Sequence, residues 1–141
     1  MAESLDVTIK SANQKVQFTG TARSNTPITM DYTQPLGDGQ GYTSLELLLI
    51  SFANCAATSI VTLLRKMRKT VTGCTVQAKG IRREQHPTSF QMISLDFTIA
   101  SSDASDADVG KALELSEQTY CPVWAMIKGN VEVATTTTII K

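Results

Sequence analysis

Residues 47–64 form an eighteen-residue stretch without a single charged side chain. Such a run is just long enough to cross a bilayer. It carries Ser51, Asn54, Thr58, Ser59 and Thr62, however, and no second segment resembles it. The reading that fits is a long helix buried on most of its sides in a globular core. Thr43 or Ser44 can cap its start, with Glu46 in the first turn where a carboxylate favours the helix dipole. The run Arg65-Lys66-Met67-Arg68-Lys69 is then the solvated, dipole-matched end, with Thr72-Gly73 as the stop.

Everything around this helix reads as β-prone or short. Residues 5–9 alternate apolar with polar, 16–19 continue after a polar turn, and 28–32 follow Pro27, which predicts an antiparallel meander with one wet face. Residues 36–41 hold three glycines but lack the lysine and spacing of a phosphate loop, so they read as a connection. After the helix come strands over 75–83 and 89–100, with Ile93, Leu95, Phe97 and Ile99 facing one way. Asp106 is placed to cap a second helix running to about Tyr120, Pro122 suits the first position of a new helical turn, and 131–140 is a last β-prone run. The order predicts one α+β domain over 1–141.

Thirteen basic residues balance thirteen acidic ones, which argues against a nucleic-acid binder. The N-terminus lacks the basic and apolar regions of a secretory signal. Three cysteines cannot all pair within one chain. Together these point to a cytoplasmic setting, where a disulfide is transient and chemical. No membrane or cofactor is expected. A structural zinc site lacks ligands, since His86 is the only histidine and no Cys-x-x-Cys pair exists. For the same reason a thiol enzyme of this composition would be activated by a cation or a dipole and not by a histidine.

Local chemistry singles out Cys121. It precedes a proline at a helix start, where unpaired backbone N–H groups favour a thiolate, although a buried cysteine beside a turn would look the same. Cys55, within the long helix among Ala53, Ala56 and Ala57, reads as a core residue when taken alone. Cys74 follows a glycine at a strand entrance and reads as structural.

The motifs then combine. Ser44-Leu45-Glu46-Leu47-Leu48-Leu49 followed by Phe52-Ala53-Asn54-Cys55, the segment from Val71-Thr72-Gly73 to Glu84, His86-Pro87 and Phe90, and finally Tyr120-Cys121-Pro122-Val123 resemble the OsmC/Ohr family, on its OsmC-like branch. The resemblance spans about residues 16 to 135. It implies an α+β subunit whose long central helix is wrapped by antiparallel sheets in an intertwined homodimer. It further implies thiol-dependent reduction of hydroperoxides, with Cys55 as the attacking and Cys121 as the resolving cysteine, and with an external dithiol, such as a dihydrolipoyl protein, as reductant. Arg23 is the counterpart of the family's active-site arginine, and Glu46 would orient its guanidinium.

Two features of this chain strain that pattern. Glu46 and Cys55 are nine residues apart, which on an ideal helix is about 180° of rotation and ~13 Å of rise, so the two side chains face apart. The expectation is that Glu46 serves a site completed by a partner chain. Local chemistry also favours Cys121 as thiolate where the family favours Cys55; an arginine close to the thiol decides for Cys55. Beside the peroxidase reading stand two others: a binding or stress protein of the same fold with little turnover, and a structural dimer with inert cysteines.

Overall fold

A computed structural model describes residues 2–141. The chain divides into two compact units, Met1–Leu48 and Leu49–Lys141, each taken by itself below.

In the first unit, β1 (Thr8–Ser11), β2 (Phe18–Thr21) and β3 (Ile28–Met30) form an antiparallel sheet in the order β1-β2-β3. This is the expected meander, with its first strand three residues later than the alternation predicted. The register aligns Ile9, Gly20 and Ile28 on one face. Ile9 is 60% exposed there, and Val7 and Ile28 are exposed as well. The glycine-rich connection is ordered around Asp31, whose buried carboxylate accepts the backbone N–H groups of Tyr32 (2.8 Å), Gln40 (3.1 Å) and Asp38 (3.2 Å). The Gln40 N–H, then those of Tyr32 and Asp38, together with Lys15, hold this carboxyl below its ordinary range. Gly37 and Gly41 lack the Cβ that would strike the backbone of Tyr32 and Thr29, which is why the loop can fold so tightly. It delivers Thr43 as the helix cap: Thr43 Oγ1 accepts the Glu46 N–H at 3.2 Å, and Glu46 Oε1 accepts the Thr43 N–H at 2.9 Å.

Helix α1 (Ser44–Lys66) starts there and runs into the second unit. It buries Phe52, Ala56, Ile60 and Leu64, one residue per turn along a single stripe. By length and composition alone α1 could cross a membrane. It ends at Lys66, before the predicted Thr72-Gly73, because Arg68 turns into the left-handed region (φ 63°) and Lys69 N–H reaches back to Leu64 C=O at 2.9 Å. Gly73 instead opens β4 (Gly73–Arg82).

β4 pairs antiparallel with β5 (Phe90–Ala100), and Ile93, Leu95, Phe97 and Ile99 are buried as their alternation requires. Helix α2 (Asp106–Leu115) follows, capped by Ser105 and not by Asp106. Ser105 Oγ accepts the Asp108 N–H, and Asp108 Oδ2 accepts the Ser105 N–H. The helix gives way to a π-turn, Ser116–Tyr120, and then to α3 (Pro122–Ile127). This helical connection returns the chain so that β6 (Glu132–Ile140) lies parallel to β5. The second sheet is therefore mixed, where antiparallel pairing was expected. A parallel pair needs a crossover, and α2, the π-turn and α3 supply it.

Candidate active site

Two of the predicted residues meet. Cys55, in the middle of α1, and Cys121, at the cap of α3, lie 66 positions apart in the chain, yet Cys121 Sγ donates to Cys55 Sγ at 2.9 Å. Both are free thiols. A disulfide has its sulfurs ~2.05 Å apart, so about 1 Å of approach separates this pair from a covalent bond.

Each cysteine sits three residues from an aromatic anchor. Phe52 precedes Cys55 by three positions, and Trp124 follows Cys121 by three, so ring and thiol fall on neighbouring faces of their helices. The two rings meet edge to face, with centroids 5.4 Å apart and planes at 77°. Phe52 and Trp124 are both buried. The thiol contact and the ring contact thus fix α3 to α1 at two points. Neither ring was singled out from the sequence, although the shared three-residue offset was there to be read.

Backbone geometry places Cys121 in detail. Its N–H donates to Ser116 C=O at 2.9 Å, closing the π-turn, and its C=O accepts the Ala125 N–H at 3.1 Å, opening α3. Its sulfur accepts the Trp124 N–H at 3.4 Å, the cap contact expected from the proline. The electrostatic consequence differs from the local expectation. Only 2% of Cys121 is exposed, and its thiol is pushed up to about 11. Burial is the largest cause and the hydrogen bond and charge of Cys55 add to it, against the smaller lowering by the Trp124 and Val123 N–H groups. A helix of six residues does not offset the loss of water. Burial thus favours the protonated form of Cys121, and Cys55, which accepts its hydrogen bond, is half-buried.

The other candidates have local settings of their own. Glu46 is engaged in the capping box of α1 through one carboxylate oxygen. Arg23 sits in the turn after β2 with φ 57° and is exposed. Both belong to the first unit, and among the described residues they form no ion pair with each other. Cys74 is half-buried in β4, where burial pushes its thiol up. His86 lies in the exposed turn between β4 and β5. No group of three or more His, Cys, Asp or Glu converges among the described residues.

The family model for OsmC-like proteins matches residues 37–136, a span that contains both cysteines and most of the chain. The chain belongs to the OsmC family. Protein YhfA of Escherichia coli K12 is 34% identical over 116 residues, covering 82% of this chain and 84% of that protein. The fold superposes on a hypothetical protein from Aquifex aeolicus with a TM-score of 0.87, at 25% identity, covering 99% of this chain and 98% of that one. An organic hydroperoxide resistance protein from Elizabethkingia anophelis has the same fold, with a TM-score of 0.73, 15% identity and 99% of each chain covered. The OsmC fold of a long helix with two sheets is therefore this chain's architecture, and proteins of hydroperoxide resistance share it.

Proposed function

We propose that this OsmC-family protein is a thiol-dependent peroxidase that reduces hydroperoxides, organic ones included, through Cys55 and Cys121. The observation that carries the reading is the 2.9 Å approach of the two thiols from separate elements. The Cys55 thiolate attacks the terminal oxygen of ROOH. The O–O bond breaks, ROH leaves after taking a proton, and Cys55 becomes a sulfenic acid. Cys121 then attacks that sulfur, its thiol proton leaves with the hydroxyl as water, and a Cys55–Cys121 disulfide remains. An external dithiol restores both thiols and is itself oxidised to a disulfide.

In this reading Arg23 supplies the positive charge that holds the thiolate and polarises the peroxide, and Glu46 orients it. The working unit is a homodimer. Exposed apolar side chains support this: Ile50 on α1 is 49% exposed, Leu48 is 40% exposed, and Ile9 and Ile28 face out from the first sheet. A second copy covering α1 also accounts for its apolar composition without a membrane.

The test is turnover of cumene hydroperoxide with dihydrolipoamide. Cys55→Ser is expected to abolish reaction, Cys121→Ser to retain a single oxidation of Cys55 without turnover, and Arg23→Lys to slow the oxidation step. Loss of the first peroxide-reactive thiol in Cys121→Ser but not in Cys55→Ser would reverse the assignment. Absence of turnover in the wild type with every variant alike would favour a binding or stress role for the same fold.

A further inference from the structure

Five polar residues interrupt the apolar run of α1: Ser51, Asn54, Thr58, Ser59 and Thr62. Among the described residues, Ser59 is the one of these whose side chain is tied by a hydrogen bond. Its hydroxyl donates to the Cys55 C=O at 3.2 Å. Ser59 is half-buried and one turn beyond Cys55, so the two share a helix face, about 100° round from the buried stripe of Phe52, Ala56, Ile60 and Leu64. The Cys55 carbonyl therefore accepts twice, from the Ser59 N–H along the helix and from the Ser59 O–H at its side. A hydroxyl back-bonded in this way bends a helix at the turn it engages. Here that turn carries Cys55. We propose that Ser59 is a positioning residue for Cys55: through the shared carbonyl, its hydroxyl sets the tilt of the helix turn from which Cys55 Sγ reaches Cys121 Sγ.

Position matters because a disulfide tolerates little error. From 2.9 Å the sulfurs must close to ~2.05 Å, with a Cβ–S–S–Cβ torsion near about ±90°. Cys121 has little freedom to adjust. Its N–H is held by the Ser116 C=O, its C=O by the Ala125 N–H and its sulfur by the Trp124 N–H. Phe52, three residues before Cys55, is pinned against Trp124. The turn that follows Cys55 is where its tilt is still to be set, and Ser59 is the side chain bonded there. A misplacement of ~1 Å costs an oriented intramolecular reaction on the order of 10²-fold, so one of ~0.25–0.5 Å costs about three- to tenfold.

Stability moves the other way. Without the hydroxyl, residue 59 still donates its N–H to the Cys55 C=O, so no polar group is orphaned, and alanine is the better helix former. The inference rests on reading Cys55 and Cys121 as a redox pair, and it deepens that reading by naming what aims one of the two sulfurs.

The experiment poises wild type and variants in glutathione buffers, starting from both the reduced and the diamide-oxidised protein, and maps the Cys55–Cys121 linkage by mass spectrometry after acid quench. The two thiols give up two electrons and two protons, and glutathione disulfide takes them up to become two glutathione thiols. The equilibrium constant is independent of which sulfur reacts first and of how it is reached. Ser59→Ala and Ser59→Val are expected to lower that constant about three- to tenfold. Ser59→Thr, isosteric with the valine variant but able to bond the same carbonyl, is expected to restore the wild-type constant. Urea unfolding of the reduced proteins should place Ser59→Ala at or above the wild-type midpoint. Wild-type constants in the alanine and valine variants, or an equal fall in the threonine and valine variants, would overturn the proposal while leaving the pair intact. So would a fall in the alanine variant matched by a lowered urea midpoint. Failure of the wild type to link Cys55 to Cys121 from either starting state would overturn the pair itself, and this inference with it.

Discussion

Replacing Phe52 tests whether the ring contact holds the thiol pair in place. Phe52 is wholly buried, and its ring meets the indole of Trp124 edge to face at 5.4 Å. Truncation to alanine removes a buried aromatic side chain, which costs about 3–5 kcal/mol through lost transfer energy and the cavity left behind. Of this, about 0.5–1.5 kcal/mol belongs to the specific ring pair. Phe52→Leu keeps most of the apolar burial, so its cost is expected near the ring-pair value plus a small cavity, about 1–2 kcal/mol. Urea unfolding followed by far-UV circular dichroism measures both variants without relying on the tryptophan that Phe52 touches. The functional consequence is read separately as the rate of Cys55–Cys121 closure by diamide. Phe52→Leu is expected to close more slowly than wild type while remaining folded, because α3 has lost one of its two anchor points on α1. A leucine variant with unchanged stability and unchanged closure would refute the argument that the ring contact positions Cys121.

Other changes probe the remaining supports. Gly80 lies against the ring of Phe90, so Gly80→Ala drives a methyl into that ring and is expected to destabilise by about 1–3 kcal/mol in the same urea assay. Arg68 holds a left-handed conformation that glycine adopts without strain, and Arg68→Gly is expected to stabilise by about 1 kcal/mol, read as a raised urea midpoint. Because the folded protein pushes the Cys121 thiol up, native protein keeps a proton there that unfolded chain releases. Stability is therefore whole below about pH 9 and falls as pH rises towards about 11. Ultraviolet thiolate titration of Cys55→Ser should show the Cys121 thiol ionising at lower pH than in wild type, since the Cys55 contact is gone, yet still above an ordinary thiol because burial persists.

The long helix and the alternating strand were legible because each rests on a pattern of many residues. The uncharged run predicted α1, and Ile93, Leu95, Phe97 and Ile99 predicted the buried face of β5. Boundaries were less legible where a single residue takes an unexpected backbone state. Arg68 ends α1 in a conformation that sequence reading reserves for glycine, and Ser105 takes the cap through its reciprocal bonds with Asp108. The parallel pairing of β6 followed from the handing-back of the chain through a π-turn, which has no pattern at the level of residue types. At the site, the two cysteines were found from motif context, but their electrostatics were not. The helix-start position of Cys121 predicted a lowered thiol, while its burial, a tertiary fact, raised it.

The central claim is that Cys55 and Cys121 form one redox unit, and mass mapping after a single equivalent of cumene hydroperoxide addresses it most directly. Reduced protein should give a rapid Cys55–Cys121 disulfide with Cys74 left free, reversed by a dithiol and formed again on a second addition. Thiols that stay unreacted, or a linkage that runs through Cys74, would contradict it.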